Sequence, residues 1–364
     1  MTESLIKLTR GVPPEEGLPV DQLEACADHV LLVHGYDVLQ YGEAQGYPAL
    51  RELIAQEHRV EPDRVIVGQG SLQLQDLCAR MLLEPGDLVY VEEPTYDRTL
   101  TVFRRAAAQV EGFVLDKDGV DVEAVARRLE EGQNPILFYL IPDFQNPSGT
   151  LLSLEKRQEI VDLARAHDFW IIEDAPYRKL RYRGEDLPTL HQLAPDRVLH
   201  MSSYSKLISP GLRVGYVITP EPLVDGLSEM AEDTYISPSY LNQAMVAEFI
   251  RRGWLDEQIA ALKEVYEPRL YTTLGSLQKH MGGLATWRQP EGGFFVGVTL
   301  NGEVNTDALL SRADDANLAL TDGRGFFVNE ANGNAFVRLP FCALTPGQIG
   351  EGVKRLAGVV RSLA

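Results

Sequence analysis

The chain has 364 residues, of which 45% are hydrophobic and 24% charged, the balance of a globular protein that buries a sizeable core. Its 53 acidic residues outnumber 34 basic ones, and the formal charge of −19 disfavours nucleic acid and anionic lipid as partners. No apolar run reaches the roughly 20 residues that span a bilayer, and Met1 to Arg10 lacks the pattern of a signal peptide, so we expect a soluble, cytoplasmic protein.

The cysteines, Cys26, Cys78 and Cys342, lie far apart and without the Cys-x-x-Cys spacing of metal or redox sites. This spacing predicts small buried side chains in a reducing compartment rather than disulfides. We therefore expect no metal site.

Short apolar runs alternate with helical patterns along the middle of the chain. After the first run, Leu74, Leu77 and Met81 recur at helical spacing, and Ser153 is a candidate N-cap of a later helix. The alternation predicts an α/β fold with a mostly parallel sheet and helices on both faces. The predicted strands are Val65–Gln69, Leu88–Glu92, Val110–Leu115, Ile136–Ile141, Phe169–Glu173, Val198–Met201 and Val214–Thr219.

Ligands of such sheets bind beyond the carboxyl ends of the strands, so the segments just after predicted strands are candidates for chemistry. Gly70-Ser71-Leu72 follows the first strand and opens a helix, whose free N–H groups can hold a phosphate. Alternatively, Ser71 only caps that helix. Asn146, in the turn-rich segment PDFQNPSG, offers an amide to an anionic oxygen or belongs to a loop without function.

Two charged residues follow the next strands. Asp174 ends an apolar strand, where a carboxylate is costly without a cationic partner such as a protonated pyridine nitrogen; the alternative is an exposed loop acid. Lys206 follows a further strand, with Arg213 seven residues beyond it. A nearby cation lowers the pKa of a lysine towards the neutral amine that Schiff-base chemistry requires, whereas a lone lysine is usually a solvated surface charge.

The order and spacing of these segments resemble the fold-type I, class I/II aminotransferases, which depend on pyridoxal 5'-phosphate. The motifs that carry the resemblance are FQNPSG, EDAPY and SYSKLISPGLRVGY, and the similarity extends from LQYGEAQGYPALRELIA to VRLPFC. Within the family, the chain is most similar to the branch with 2-aminoadipate and kynurenine aminotransferases and the aminotransferase-like halves of some regulators. The resemblance implies an enzyme that moves an amino group from an L-amino acid to a 2-oxo acid.

The resemblance also implies catalytic roles for the matching residues. Lys206 would carry the cofactor and shuttle the proton of the substrate α-carbon. Asp174 would keep the pyridine nitrogen protonated, which makes the ring a stronger electron sink. Tyr177 and Asn146 would bind the phenolic oxygen of the cofactor.

Further residues match positions that bind the cofactor or the substrate. Tyr96 would lie over the ring, and Arg338 would bind the substrate α-carboxylate with help from Asn146. Tyr41 resembles a tyrosine that reaches the phosphate of the neighbouring subunit, which implies a homodimer with shared active sites. The phosphate of the same subunit would be held by Ser71, the backbone of Leu72, Ser203 and Arg213.

Several positions leave the substrate open. Leu72 stands where the family often has glutamine, Arg98 where a small residue is common, and Arg10 where glycine is frequent. Arg10 or Arg98 would bind the second carboxylate of an acidic amino acid, or else points to solvent or to an acidic partner.

Two of the site residues also have structural alternatives. Arg338 could instead be an arginine of a surface strand, paired with an acid. For Tyr96, the alternative is the packing of a turn.

The predicted function is an aminotransferase with a 2-aminoadipate, aromatic, branched or acidic donor and 2-oxoglutarate as acceptor. A lyase or decarboxylase of the same fold is an alternative, because the lysine site does not distinguish these reactions. A sensing module without activity is a second alternative, disfavoured because the chain begins directly with the aminotransferase-like segment and its charge is unsuited to DNA. We expect a three-layer large domain that binds pyridoxal phosphate over residues 40–260, and a smaller α/β domain from residues 1–39 and 261–364.

Overall fold

Residues 4–363, the part of the chain that the computed structural model describes, form three sheets with helices packed around them. The strands are β1 (Ile6–Leu8), β2 (Val65–Gly68), β3 (Leu88–Glu93), β4 (Gln109–Asp116), β5 (Gly119–Val120), β6 (Leu137–Leu140), β7 (Trp170–Asp174), β8 (Val198–Ser203), β9 (Gly215–Ile218), β10 (Ala285–Trp287), β11 (Phe295–Leu300), β12 (Leu318–Leu320) and β13 (Phe336–Pro340). The α-helices are α1 (Val20–Val38), α2 (Pro48–His58), α3 (Ser71–Leu82), α4 (Asp97–Arg105), α5 (Val122–Glu130), α6 (Leu154–His167), α7 (Leu190–Leu193), α8 (Val224–Tyr235), α9 (Tyr240–Arg251), α10 (Trp254–His280), α11 (Thr306–Asp315) and α12 (Pro346–Leu363).

The largest sheet has the strand order β2-β9-β8-β7-β6-β3-β4-β5. Strands β4, β3, β6, β7 and β8 pair in parallel, and β9 lies antiparallel between β8 and β2. β2 therefore runs in the direction of the parallel group. As a result, the carboxyl ends of β2, β3, β6, β7 and β8 meet at one edge, and β9 begins at that same edge.

Side chains alternate between the two faces of this sheet, and both faces are covered. Along β6, Leu137 and Tyr139 pack in a cluster with α3, α4 and α8, whereas Phe138 and Leu140 pack in another cluster with α5 and α6. Burial on both faces explains why these strands read as continuous apolar runs. All seven predicted strands are present with ends that differ by at most two residues, and the three-layer α/β fold is confirmed.

Helix α6 holds the loop that follows β6. The predicted N-cap is confirmed, because the Ser153 hydroxyl accepts the N–H of Lys156 at 3.3 Å. One turn along, the buried Arg157 donates to the carbonyls of Leu152 and Pro142 and to the Asp143 carboxylate, the last at 2.8 Å. The hydrogen bonds of Arg157 on α6 thus fix the loop at the carboxyl end of β6.

Two smaller sheets bring the ends of the chain together. β1 pairs in parallel with β12, and β10, β11 and β13 form an antiparallel sheet. The 27-residue helix α10 packs against α12 beside them. Segments from both ends of the chain therefore lie side by side, and the domain boundaries at residues 40 and 260 stay a prediction.

Two sequence-based expectations concern the environment of the protein. The three cysteines are free and buried, as their spacing predicts. Between residues 4 and 363, no helix combines the length and the apolar character that a membrane span requires.

Candidate active site

A cavity of about 320 Å³ opens where the strand ends of the large sheet meet, a volume within the usual range for small-molecule sites. Tyr41 is the predicted site residue that does not line it; its side chain is 73% exposed and lies in a surface groove near Tyr240. The remaining predicted residues all line the cavity: Arg10, Ser71, Leu72, Tyr96, Asn146, Asp174, Tyr177, Ser203, Lys206, Arg213 and Arg338.

The end of the cavity beside α3 is built for an anion. Ser71 is the first residue of α3, whose first N–H groups have no partner within the helix and attract negative charge. Gly70 takes the N-cap position, so the alternative reading of Ser71 as the cap is wrong. Arg213 donates to the Gln69 carbonyl at 3.1 Å, which holds its guanidinium next to the start of the helix.

Two glycines permit the close packing at this end. A Cβ on Gly70, which has a φ of +90°, would lie 2.5 Å from Nη2 of Arg213, and a Cβ on Gly215 would lie 2.4 Å from the backbone nitrogen of Ser71. The methyl group on Gly215 would push β9 away from the backbone at the start of α3, whereas the one on Gly70 would displace the Arg213 guanidinium and strain the backbone at its positive φ. The approach of these three elements therefore depends on glycine at both positions.

Serines at the end of β8 complete the polar wall. The Ser203 hydroxyl donates to the Val214 carbonyl at 3.2 Å and accepts the Ser205 N–H at the same distance. Ser205 also lines the cavity, although sequence reasoning did not single it out. Its position directly before Lys206 in the motif SYSK could have identified Ser205 as a site residue.

Asp174 is the last residue of β7 and is buried, so the alternative of an exposed loop acid is wrong. Its Oδ2 accepts a hydrogen bond of 2.7 Å from the Tyr139 hydroxyl. Its Oδ1 is buried without a hydrogen-bond partner among the described residues. Burial raises the pKa of Asp174 to about 6, against the lowering effect of the Tyr139 hydrogen bond and of the nearby His200 and Lys206.

Lys206 lies in the loop after β8, with its ammonium group donating to the Gly11 carbonyl at 2.9 Å. Burial lowers its pKa, and Arg338 and Arg213 lower it further. Sequence reasoning assigned this effect to Arg213 alone. Desolvation proves to be the larger cause, and the neutral amine becomes accessible at a lower pH than in a solvated lysine.

Arg338 lies on β13 and is buried, so the alternative of a surface arginine paired with an acid is wrong. It donates to Oδ1 of Asn146 at 3.0 Å and to the Thr9 carbonyl at 2.7 Å. Its guanidinium lies over the rings of Phe295 and Phe326, 4.7 and 4.6 Å from their centroids. No carboxylate between residues 4 and 363 pairs with it within 4 Å, which leaves its charge for a bound anion.

The Asn146 loop is held rigidly by neighbouring side chains. Buried Asp143 accepts from Arg157 at 2.8 Å and from Arg178 at 3.2 Å. The Gln145 amide donates to the Pro94 carbonyl at 2.7 Å, which ties the loop to the segment that carries Tyr96. The amide of Asn146 is therefore presented from a fixed backbone.

Two tyrosines line the walls of the cavity. Tyr96 stands at the N-cap position of α4, and burial raises the pKa of its hydroxyl to about 12. Tyr177 follows β7 and packs against the rings of Phe294 and Phe295, at centroid distances of 5.4 and 5.9 Å. Burial raises the pKa of Tyr177 as well, so both hydroxyls stay protonated and can donate hydrogen bonds.

The structure adds site residues that sequence reasoning missed. Tyr139 lies within an apolar strand, where it reads as core, and Phe295 reads the same way. The carbonyls of Thr9 and Gly11 leave no signal in the sequence because every residue has a carbonyl. Among the missed side chains, Ser205 is adjacent in the sequence to a predicted site residue, Lys206, whereas Tyr139 and Phe295 are not.

These groups fit pyridoxal 5'-phosphate. The start of α3 with Arg213 suits a phosphate, and the unpartnered carboxylate oxygen of Asp174 suits a protonated ring nitrogen. The partly buried amine of Lys206 suits bonding to an aldehyde.

Comparisons with known proteins agree with this fit. The model of the family "Aminotransferase class I and II" matches residues 3–356. Aromatic-amino-acid aminotransferase 1 of Thermococcus litoralis is 31% identical over 371 residues, which cover 99% of this chain and 89% of that protein.

Solved structures are similar over the same extent. The multiple substrate aminotransferase of Thermococcus profundus is 33% identical with a TM-score of 0.95, and the alignment covers 99% of this chain and 92% of that one. The α-aminoadipate aminotransferase of Thermus thermophilus, solved with N-(5'-phosphopyridoxyl)-L-leucine, is 29% identical with a TM-score of 0.93 at the same coverage. With the family match and the fit of the cavity, this chain belongs to the class I and II aminotransferases, enzymes that depend on pyridoxal 5'-phosphate.

Proposed function

We propose that this aminotransferase takes its amino group from a 2-aminoadipate, aromatic, branched or acidic L-amino acid and passes it to a 2-oxo acid such as 2-oxoglutarate, with Lys206 as the catalytic base. The observation that carries the proposal is the meeting of three groups in one cavity. These are the partly buried amine of Lys206, the unpartnered carboxylate oxygen of Asp174 and the unpaired guanidinium of Arg338.

When bound, pyridoxal phosphate supplies an electron-poor ring that takes up the electron pair of the broken Cα–H bond. Lys206 then holds the proton at Nζ, and its lowered pKa suits a base that must be neutral before it accepts. Asp174 stabilises a positive charge on the ring nitrogen through its free oxygen. Tyr177 donates to the phenolic oxygen beside Asn146.

Other groups of the chain bind and orient. Arg338 binds the substrate α-carboxylate, and the Asn146 contact holds its guanidinium in the required plane. Tyr96, which lines the cavity, would cover one face of the ring. An orientation fixed in this way directs the Cα–H bond towards Lys206, which contributes as much as the basicity of the amine. The phosphate is held by Ser71, the Leu72 backbone, Ser203 and Arg213.

Two further arginines of the cavity support a dicarboxylate as one of the two substrates. Arg10 is exposed and has no ion pair or hydrogen bond with another described side chain, and Arg98 pairs only with Asp97, at 3.7 Å. A substrate held by Arg338 at its α-carboxylate would extend a second carboxylate towards one of them. This interpretation suits 2-oxoglutarate as acceptor and glutamate or 2-aminoadipate as donors.

A spectroscopic half-reaction tests the substrates. The purified protein, loaded with pyridoxal phosphate, is mixed singly with glutamate, 2-aminoadipate, kynurenine, leucine and phenylalanine, and conversion to the pyridoxamine form is followed by absorption. We expect several donors to convert the cofactor to the pyridoxamine form, and 2-oxoglutarate to restore the pyridoxal form. Arg10→Ala or Arg98→Ala should weaken the acidic donors by about three- to tenfold and leucine by less than twofold.

Arg105→Ala is the matched control, because Arg105 is an exposed arginine of α4 that does not line this cavity. If the ratio of glutamate to leucine reactivity is equal in all three variants, neither Arg10 nor Arg98 binds a second carboxylate. Conversion by no amino acid would favour the lyase alternative.

We also infer a homodimer with shared active sites. Helix α1 and the segment after it expose large side chains that a monomer would bury: Leu32 at 86%, Tyr36 at 99%, Leu39 at 71% and Tyr41 at 73%. Tyr41 does not reach the cavity of its own chain. A second copy that covers this surface would bring its Tyr41 to the phosphate.

Sedimentation should give twice the mass of one chain, and Leu32→Asp should shift it towards the monomer and weaken cofactor binding. Tyr41→Phe should keep the dimer and weaken the cofactor by a few-fold, the loss of one hydrogen bond. Leu154→Asp, at an exposed apolar position on α6, is the control. A monomeric protein with full cofactor affinity would contradict the shared site.

We place the protein in the cytoplasm. Its cysteines are free and buried, which suits a compartment that keeps thiols reduced. Recovery of the native protein in the soluble cytoplasmic fraction of its cells would agree with this location, and export would contradict it.

A further inference from the structure

Behind the proposed cofactor site, a buried tyrosine holds the acid that faces the ring. Tyr139 lies on β6 with no exposed surface, and its hydroxyl donates to Oδ2 of Asp174 on the neighbouring strand β7 at 2.7 Å. The other oxygen, Oδ1, has no partner among the described residues, and Asp174 lines the cavity. The tyrosine therefore binds one carboxylate oxygen and leaves the second for a ligand.

The hydroxyl of Tyr139 itself has a buried polar neighbour. Burial raises the pKa of Tyr139, and the side-chain hydrogen bond with Thr99 of α4 counteracts this. Thr99 is also buried, and its hydroxyl lies 3.1 Å from Oε1 of Gln75 on α3. Four polar side chains from α3, α4, β6 and β7, in the two hydrogen-bonded pairs Gln75–Thr99 and Tyr139–Asp174, thus lie together beside an otherwise apolar cluster.

The direction of the hydrogen bonds follows from the donors available. A threonine hydroxyl has one hydrogen, so it cannot donate to Gln75 and to Tyr139 at once. Nε2 of Gln75 is buried without a hydrogen-bond partner among residues 4–363, and a half-turn of the amide places that nitrogen where Oε1 stands, within reach of Thr99. Gln75 then donates to Thr99, Thr99 to Tyr139 and Tyr139 to Asp174. In this arrangement each bond polarises the next towards the carboxylate.

We propose that Gln75, Thr99 and Tyr139 are positioning residues that act as a one-way hydrogen-bond chain, fixing the Asp174 carboxylate and stabilising its anion for the cofactor ring. The inference rests on the proposed role of Asp174. The chain also links α3, which begins at the phosphate end of the cavity, to α4, which begins just after Tyr96. The chain thereby connects the three groups proposed to contact the cofactor: the start of α3, Tyr96 and Asp174.

The charge state of Asp174 depends on all the groups around it. A donor to a carboxylate stabilises the anion, so removal of the Tyr139 hydroxyl moves the pKa of Asp174 above its value of about 6. At neutral pH the variant carboxyl is then partly protonated and attracts the ring nitrogen less. The other ionisable groups that act on Asp174 or respond to it are His200 on β8, Lys206 after β8, Tyr96 before α4 and Tyr177 after β7.

Tyr139→Phe tests the chain, with Tyr90→Phe as the matched control. Tyr90 is also a fully buried tyrosine of this sheet, on β3, but its hydroxyl donates to the Gln133 carbonyl away from the cavity. Both variants should lose similar thermal stability, about 2–4 °C. The control therefore separates the loss of a buried hydroxyl from an effect on Asp174.

Cofactor binding, ring protonation and turnover of Tyr139→Phe are expected to differ from those of the control. The dissociation constant of pyridoxal phosphate should rise about tenfold at neutral pH, and the pH below which binding weakens should move up by about one unit. With ¹⁵N-labelled cofactor, the ring-nitrogen resonance should shift towards that of neutral pyridine. The kcat should fall while the KM of the amino acid stays within about twofold, because Arg338 is untouched.

Substitutions of Thr99 extend the test along the chain. Thr99→Val should produce a smaller shift in the same direction, and Thr99→Ser should restore wild-type values because the hydroxyl returns. Identical pH midpoints and ¹⁵N shifts for Tyr139→Phe and Tyr90→Phe would overturn the proposal, as would a Thr99→Val variant indistinguishable from wild type.

Asp174→Asn separates this inference from the proposed function. If Asp174→Asn abolishes ring protonation and Tyr139→Phe leaves it unchanged, the role of Asp174 stands and the chain fails. If Asp174→Asn itself leaves ring protonation unchanged, the proposed role of Asp174 fails and the chain fails with it.

Discussion

Replacement of Lys206 by alanine is expected to abolish transamination and the absorption band of lysine-bound pyridoxal phosphate. The amine is the partly buried base of the cavity, and burial lowers its pKa towards the neutral form that accepts a proton. We expect kcat to fall by about 10⁴-fold or more, since both the covalent anchor and the proton carrier are lost. Absorption spectra and single-turnover kinetics measure the two effects separately.

The fold should survive this substitution. The ammonium group contacts the Gly11 carbonyl and lies 5.7 Å from the Phe294 ring centroid, and its removal relieves the cost of a buried charge. Thermal unfolding should therefore be nearly unchanged. Lys179→Ala is the control, because Lys179 pairs with Glu57 at the surface, at 2.6 Å, and should keep full activity. Full transamination by Lys206→Ala would disprove the assignment of the base.

Replacement of Arg338 by alanine should chiefly weaken amino-acid binding. The loss of a buried, charge-assisted pair costs about 2–5 kcal/mol, so we expect kcat/KM to fall by about 30- to 5,000-fold, mostly through KM. Arg338→Lys keeps the charge but loses the two-pronged geometry that matches a carboxylate. Its kcat/KM should therefore lie between that of the wild type and that of Arg338→Ala. Steady-state kinetics on leucine and glutamate measure the effect.

The control for Arg338 is another arginine stacked on an aromatic ring. Arg252 lies 4.8 Å from the Trp254 ring centroid and outside the cavity, so Arg252→Ala should keep wild-type kinetics. Cofactor absorption should be normal in both variants. A KM for leucine unchanged in Arg338→Ala would show that another group binds the α-carboxylate.

Local pattern was enough to predict the large sheet and most of the residues beyond its strands. Apolar runs marked strands β2, β3, β6, β7, β8 and β9 because both faces of each are almost wholly buried, so nearly every residue of these runs is apolar. Strand β4 was also predicted, although only Phe113 of its residues is fully buried. Strands β1, β10 and β12 of the two smaller sheets span three residues each, too short for a periodic signal, and were not predicted.

Partners distant in the chain were beyond the reach of that pattern. Whether Asp174 or Arg338 was buried stayed open, because periodicity states which face a side chain occupies and not what covers it. Tyr139 meets Asp174 across 35 residues through the pairing of β6 with β7, and Arg338 meets Asn146 across 192 residues through tertiary packing. Local spacing encodes neither contact. Arg213 comes before strand β9, so the rule that site residues follow strands does not apply to it.

The amino-acid sequence by itself determined the fold class, the family and the chemistry of the strand-end residues, since these depend on residue type and order. The tertiary structure decided which groups share one cavity. β9 runs antiparallel between β2 and β8, and therefore Arg213, two residues before β9, lies at the same edge as the residues after the parallel strands. Packing of the chain ends then brings Arg338 and the carbonyls of Thr9 and Gly11 over that edge, because burial and hydrogen-bond pairing are properties of the assembled elements and not of any one segment.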